Sequence, residues 1–278
     1  MISNGSSYCT EMRVIDVNNL SFNYTNNSIL SNISFEVYKG DFIGVIGENG
    51  TGKTTLLNCI NGSLKINSGS ISVLDKDING YSKSELAKLM ATVSVGVNSS
   101  INPQVCDFLM LGRYPFTEKI WWETDEDEKI VKKIVNQFKL HPFLDRKLRD
   151  LSNGELQQVL IAKGMIQTPR ILLVDEPSSN LDLKHKIQMM NYFSFLSHGK
   201  KLTIIIASHD LNLVNRYCNK VILLKNQAIY KIGKPTEVLT KKNLEVVFQV
   251  KVEIIKSEVG DLIMPYMDKI EKRRNTIE

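Results

Sequence analysis

The stretch DFIGVIGENGTGKTTLLNCING, residues 41–62, decides the fold. Its opening, Asp41 to Gly47, holds a short apolar run of the kind that forms a strand buried on both faces. Its centre, Gly47-Glu48-Asn49-Gly50-Thr51-Gly52-Lys53-Thr54, has the spacing G-x-x-x-x-G-K-[ST]. From Thr54 onward it reads as a helix that Gly62 could close. Strand, glycine-rich turn and helix in that order make a phosphate-binding loop. Glycines let successive backbone N–H groups turn inward around phosphate oxygens. The helix N-terminus adds partial positive charge. Lys53 can reach β- and γ-phosphates, and the Thr54 hydroxyl can ligate Mg2+.

Upstream of this stretch, MRVIDVNNLSFNY (12–24) and ILSNISFEVYK (29–39) flank a turn-rich NYTNNS and predict an antiparallel pair. Downstream, SGSISVLDKDI returns to strand character. The runs RILLVDEP (170–177), KLTIIIAS (201–208) and KVILLKNQAIYK (220–231) have the texture of buried parallel strands. Helical segments at 183–197 and 210–217 separate them. Between 81 and 168 the spacing is mostly helical. SKSELAKLM opens on a Ser82 cap with Glu85 in capping-box position, and 104–112, 124–140 and 151–167 follow. The acidic TDEDE at 124–128 suits a helix N-terminus. The predicted fold class is α/β: an N-terminal antiparallel β subdomain, a mostly parallel core sheet and a helical insert. One domain is expected, with core segments at about 11–80 and 169–233, the helical subdomain at 81–168 and an appendage at 234–278 that ends in a basic tail.

The composition is that of a globular protein, with 42% apolar and 23% charged residues. A formal net charge of +5 among 278 residues is too weak for a strong nucleic-acid footprint, so no nucleic-acid partner is expected. Cys9, Cys59, Cys106 and Cys218 form no C-x-x-C pair, and the four histidines lack metal-ligand spacing. No apolar run approaches the roughly 20 residues of a membrane span. The first fourteen residues carry no apolar core of secretory type.

Two further strings bear on chemistry. Ile171-Leu172-Leu173-Val174-Asp175-Glu176 ends an apolar strand on two carboxylates, where open α/β sheets bind ligands. Asp175 suits a Mg2+ shell, and Glu176 suits a general base that polarises water. Adjacent acids alone are ordinarily a solvated strand end; the phosphate loop gives them meaning. Leu151-Ser152-Asn153-Gly154-Glu155 taken alone is a helix cap.

Phosphate loop, this string and the Asp-Glu strand, in that order, resemble the ABC ATPase family over nearly the whole chain. The resemblance implies an ATP-hydrolysing motor subunit that uses Mg2+, peripheral on the cytoplasmic face of a membrane. It implies residue roles as well. Tyr24 would stack on adenine, and Gly47, Glu48, Asn49, Gly50, Thr51, Gly52, Lys53, Thr54 and Thr55 would hold the phosphates. Ser152, Asn153 and Gly154 correspond to the family's LSGGE signature, with Asn153 in place of the first glycine, and would contact the γ-phosphate held by an opposite subunit. Thr54 and Asp175 would hold the metal, and Glu176, His209 and Lys53 would be catalytic. Ser179-Asn180-Leu181-Asp182 matches the loop that communicates across a dimer. The family's glutamine after the next strand is replaced by Gly96; Asn98 could stand in for it in part, while Gln104 lies too far along.

Leu111-Gly112-Arg113-Tyr114-Pro115-Phe116 resembles a segment of importer ATPases that serve iron–siderophore, haem and vitamin B12 uptake. EVLTKKNLEVVFQVKVEII resembles their C-terminal end. With Trp121 and Trp122, the residues Arg113, Tyr114 and Phe116 form an aromatic and cationic cluster suited to docking a permease. The implied partners are a second copy of the chain, membrane permease subunits and, indirectly, a substrate-binding protein. Three other readings stay open: a zinc/manganese importer or exporter ATPase, a mechanical ABC ATPase, and a regulatory module that binds ATP without turnover. The Lys53–Ser152 interval has no sustained heptads, which disfavours the mechanical reading.

Overall fold

The structure is a computed structural model that describes residues 12–25, 27–94, 102–116, 124–177, 181–257 and 260–266. The chain opens with the long strands β1 (Arg13–Tyr24) and β2 (Asn27–Tyr38), followed by β3 (Phe42–Ile46) and helix α1 (Lys53–Ile60). Strands β4 (Ser68–Val73) and β5 (Lys76–Asp77), helix α2 (Lys83–Leu89) and strand β6 (Met90–Ser94) come next. The helical stretch holds α3 (Val105–Met110), a 3-10 segment at Leu111–Phe116, α4 (Asp125–Phe138) and α5 (Asn153–Ile166). The chain then alternates: β7 (Ile171–Asp175), α6 (Leu183–Ser194), β8 (Thr203–Ala207), α7 (Leu211–Tyr217), β9 (Lys220–Lys225) and β10 (Ala228–Gly233). It ends in α8 (Pro235–Val238), α9 (Lys241–Phe248), β11 (Lys251–Ile255) and β12 (Leu262–Tyr266).

Two main sheets result. The N-terminal one is antiparallel, in the order β2-β1-β4-β5. The core sheet runs β10-β9-β3-β8-β7-β6, with every pair parallel except β10 on β9. Alternation within the core strands divides their side chains between two apolar layers. Phe42, Ile46, Leu172, Val174, Ile204 and Ile206 point to the layer under the helical insert and α6. Ile43, Val45, Leu173, Ile205, Ile222 and Leu224 point to the layer under α1 and the antiparallel sheet. Both faces are covered, which is why these strands read as unbroken apolar runs.

Strand β6, at the strand the resemblance placed ahead of Gly96 within the mostly helical 81–168 interval, belongs to the core sheet and pairs in parallel with β7. The structure differs from the sequence reading in one element. The run 220–231 is two antiparallel strands, not one. Asn226 and Gln227 both take positive φ, 47° and 69°, as a two-residue hairpin with matching twist requires. Without glycine the turn is poorly marked.

The capping predictions match the geometry. Ser82 and Glu85 close a capping box on α2, and Thr124 and Asp127 close one on α4. The appendage is tied to the core through α7. Asn212 exchanges two hydrogen bonds with the Ile263 backbone, at 3.1 and 2.8 Å, and Asn215 donates to the Asp261 carbonyl at 2.8 Å.

Candidate nucleotide site

Parallel register assembles the site. Val45 of β3 and Asp175 of β7 both pair with Ala207 of β8, and Ser94 of β6 pairs with Asp175. The residues that leave these strands therefore emerge at one sheet edge. The Glu176 amide donates to the Ala207 carbonyl at 3.0 Å, and the Ser208 amide donates to the Val45 carbonyl at 3.1 Å. The phosphate loop, both acids and His209 are held there by backbone, independent of any side chain.

Gly52 caps α1 at φ 96°, a left-handed conformation that glycine adopts without steric cost. A Cβ here would also lie 2.7 Å from Leu30 Cδ2 and 2.9 Å from the Ile29 carbonyl, so the loop is pressed onto β2. At Gly47 a Cβ would meet Thr51 Oγ1 at 2.6 Å and the Leu224 carbonyl at 2.8 Å. Thr51 Oγ1 donates to the Glu48 carbonyl at 2.8 Å. Lys53 is 6% exposed, and its ammonium donates to the carbonyls of Gly47 and Glu48 at 2.9 and 3.0 Å. Burial pulls its pKa down, while the charges of Glu176 and Asp175 push it up. A compact positive centre thus sits inside the loop.

The Thr54 hydroxyl donates to Asp175 Oδ1 at 3.1 Å. Burial raises the Asp175 pKa; the Thr54 hydrogen bond and the Lys53 charge pull it back, and the neighbouring Glu176 charge adds to the rise. Glu176 takes φ 44°, which is sterically unfavourable for a residue with a side chain. Its Oε2 lies 3.6 Å from His209 Nδ1. The strained backbone turns Glu176 toward His209 instead of letting it continue along the strand.

These residues fit the groups the resemblance implies. Among the described residues, no cluster of three His, Cys, Asp or Glu side chains could hold a metal alone. One hydroxyl and one carboxylate in contact are instead the partial oxygen shell that Mg2+ takes when phosphates and waters complete it. When bound, Mg2+ would neutralise phosphate charge. The chain's own residues then have separate tasks. By the resemblance, the loop and Lys53 would bind phosphates, Thr54 and Asp175 would hold the metal, and Glu176, beside His209, would accept a proton from water.

The remaining predicted residues lie elsewhere. Tyr24 ends β1, 49% exposed, with its ring edge-to-face on Phe22 at 4.8 Å. Thr55 is half-buried on α1. Ser152 caps α5: its hydroxyl accepts from the Glu155 amide, and Glu155 accepts from the Ser152 amide at 2.7 Å. Asn153 and Gly154 open that helix. Among the described residues no hydrogen bond or ion pair joins Ser152, Asn153 or Gly154 to the phosphate loop. Asp182 caps α6 by accepting from the His185 amide at 2.8 Å, and its Oδ1 lies 2.7 Å from His185 Nδ1. The His185 ring in turn faces Gly154, where a Cβ would come within 3.1 Å of it. Sequence reasoning missed His185; its position three residues after a capping aspartate was the available signal. Gly96, Asn98, Trp121, Trp122, Ser179 and Asn180 lie outside the described residues.

One expectation is corrected. Arg113 is not part of an exposed docking cluster: it is 7% exposed, and its Nε lies 2.6 Å from Asp127 Oδ1. It also donates to the Ile166 carbonyl at 3.1 Å and stacks on Phe116, with 3.9 Å from guanidinium carbon to ring centroid. Five donors on a rigid fork let arginine satisfy several acceptors at a helix junction. Tyr114 next to it is 73% exposed and Leu111 53%.

A doubly covered, mostly parallel sheet carrying a phosphate loop, two carboxylates and a histidine on one edge defines a P-loop nucleotide hydrolase. Residues 30–179 match the ABC transporter family model, and the chain belongs to that family. It is an ATP-binding ATPase subunit whose hydrolysis is coupled to transport. An ABC transporter ATP-binding protein of Methanocaldococcus jannaschii is 38% identical over 86% of this chain and 92% of its own length. The cobalamin import ATP-binding protein BtuD of Halobacterium salinarum is 30% identical over 86% of this chain and 60% of its own length. A siderophore transport system ATP-binding protein of Bacillus subtilis is 31% identical, covering 87% and 88%. A solved inward-facing metal-chelate type ABC transporter superposes with TM-score 0.80 at 25% identity, covering 92% of this chain and 98% of that one.

Proposed function

We propose that this chain drives an importer of metal chelates: iron–siderophore, haem or cobalamin-type compounds. The LGRYPF segment carries this reading. It combines a buried Arg113 brace with an exposed Leu111 and Tyr114 on the surface of the helical insert. Relatives named for cobalamin and siderophore import support the same class. In this reading Lys53, Glu176 and His209 are catalytic. Thr54 and Asp175 hold Mg2+, Tyr24 stacks on adenine, and residues 47–55 bind phosphates. Ser152, Asn153, Gly154 and Asp182 complete the site of a second copy in a symmetric dimer. The hydrogen bonds of Ser152 stay within its own helix cap among the described residues, which leaves this segment available for that division of labour. Permease subunits dock near Tyr114 and Phe116 at the cytoplasmic face of the membrane, and a substrate-binding protein delivers cargo to them. Among the described residues no helix is long and apolar enough to cross a membrane.

Two measurements test the proposal. Glu176→Gln should abolish ATP turnover while ATP binding persists; unchanged turnover would remove Glu176 from the role of base. The chain should co-purify with a multi-helix permease, and its ATPase should rise when a chelate-loaded binding protein is added. Stimulation by free zinc or manganese ions and not by chelates would overturn the importer class.

A further inference from the structure

A second cavity lies at the opposite end of the core sheet. Its volume is about 580 Å³, inside the roughly 300–1,000 Å³ range of small-molecule sites. Thr203 starts β8, Arg170 immediately precedes β7 and Lys39 shortly precedes β3, so this is the N-terminal edge of the parallel strands. At about 3.3 Å per residue, five-residue strands put it roughly 16 Å from the edge that carries the phosphate loop. The antiparallel sheet, α4 of the helical insert and the end of α6 close it from three sides.

The lining is divided by character. The floor is apolar, built from Val14, Leu74, Ile134, Met165, Leu196 and Leu202. Lys39, Lys133, Arg170, Lys200 and Lys201 stand on the rim, all exposed. Among the described residues, no acidic side chain lines the cavity and none of the five cations is ion-paired. Tyr192 sits at the wall with its hydroxyl accepting from Gln137 at 3.0 Å. Burial raises the Tyr192 pKa, so the phenol stays neutral and adds no negative charge. The Lys200 ammonium lies over the Phe195 ring, 5.5 Å from its centroid, which leaves Lys39, Lys133, Arg170 and Lys201 as the rim charges. Cations ringing an apolar trough complement one kind of molecule: an anionic head on a hydrocarbon tail. A small inorganic anion would leave the trough wet, and a neutral apolar ligand would leave the cations unused.

We propose that this cavity binds a medium-chain fatty acid, with its carboxylate among the rim cations and its alkyl chain along the floor. The ligand would bridge the helical insert, through Ile134 and Lys133, to the core, through Leu202 and Lys201. Calorimetric titration of the full chain tests this with laurate, with dodecyltrimethylammonium and with inorganic phosphate, each amphiphile below its micelle concentration. Laurate should bind one to one, at least ten-fold more tightly than the cationic amphiphile, and inorganic phosphate, which the phosphate loop can take, should not displace it. The double variant Lys133→Glu/Lys201→Glu should weaken laurate at least ten-fold. Ile130→Asp, at the edge of the trough, should weaken it as well. All three substitutions should leave ATP turnover and the melting temperature unchanged, which establishes that the fold is intact. Equal affinity for the two amphiphiles would mean non-specific adsorption and overturn the proposal. Saturable phosphate binding that competes with laurate would reduce the site to an anion patch and overturn it too, as would unchanged laurate affinity in the double variant.

Discussion

Arg113→Ala should destabilise the protein by about 3–5 kcal/mol, the cost of removing one partner from a buried ion pair. The structure supports the upper part of that range. Asp127 and Arg113 side chains are only 7% and 8% exposed, and the pair is 2.6 Å apart. The substitution also deprives the Ile166 carbonyl of a donor and the Phe116 ring of its cation. At about 2–4 °C per kcal/mol for a chain of this size class, the melting temperature should fall by roughly 6–20 °C. A pH series sharpens the test. In the wild type, burial acts to raise the Asp127 pKa, but hydrogen bonds from Arg113 and Thr124 outweigh it and hold the carboxyl below its ordinary range. The pair's contribution is therefore present at neutral pH and lost as pH falls through that lowered pKa. In Arg113→Ala, burial is less opposed and the Asp127 pKa rises, so its folded state gains stability from protonation as pH falls. The gap between the two melting curves should narrow on the acid side, as pH falls into the ordinary carboxylate range and below. Arg113→Met/Asp127→Leu, which leaves no charge behind, should recover most of the loss. A melting temperature within about 2 °C of wild type for Arg113→Ala, less than one kcal/mol by the same scaling, would refute the brace and return Arg113 to the docking surface.

Three further outcomes follow from the geometry. Because burial raises the Asp175 pKa, Mg2+-dependent ATP turnover should fall on the acid side at a higher pH than an ordinary carboxylate predicts. Thr54→Val removes a hydrogen bond that favours the carboxylate, so Mg2+ affinity measured against pH should show this limb moving further up. Gln227→Gly relieves a left-handed turn position and should raise the melting temperature by about 2–4 °C, for about 1 kcal/mol. Gly96→Gln, which places an amide oxygen at the position the resemblance assigns to the family's glutamine, should lower the Mg2+ concentration for half-maximal ATPase by about two- to ten-fold, the worth of one net polar contact. An unchanged Mg2+ curve would show that Gly96 is no handicap.

The phosphate loop was legible because its requirements are local. Glycines at Gly47 and Gly52, a lysine and a hydroxyl must follow a strand at fixed spacing, and no distant residue can substitute. Asp175 and Glu176 were legible because a buried strand that ends in two acids has few structural uses. The convergence itself was not. That Thr54 meets Asp175 at 3.1 Å depends on β3 and β7 both pairing with β8, a register that no short string encodes. The same holds for β6. Its pairing sets Ser94 beside Asp175, and only sheet order reveals that.

Arg113 shows the limit from the other side. An arginine among aromatics is the composition of an interface hot spot, and equally of a brace between helices. What separates the two is a buried acceptor, and here the acceptor has two uses. Asp127 was read from its place in TDEDE as a helix-start acid. It fills that role, accepting from the Thr124 amide and hydroxyl through one oxygen. Its other oxygen faces Arg113. A capping residue that is 5% exposed is already anomalous, because helix-start acids on an insert surface should be wet. Its neighbours Asp125, Glu126 and Glu128 are exposed, as solvated charges on the same turn should be. The distinction between docking and bracing therefore rests on one carboxylate of four identically signed ones, chosen by helix phase. Phase follows from the apolar face of α4, where Val131, Ile134, Val135 and Phe138 are buried. Asp127 lies four residues before Val131, on that same face. Helix phase thus ties the insert's apolar face to the one acid that holds Arg113, which leaves Tyr114 and Leu111 as the exposed part of the segment.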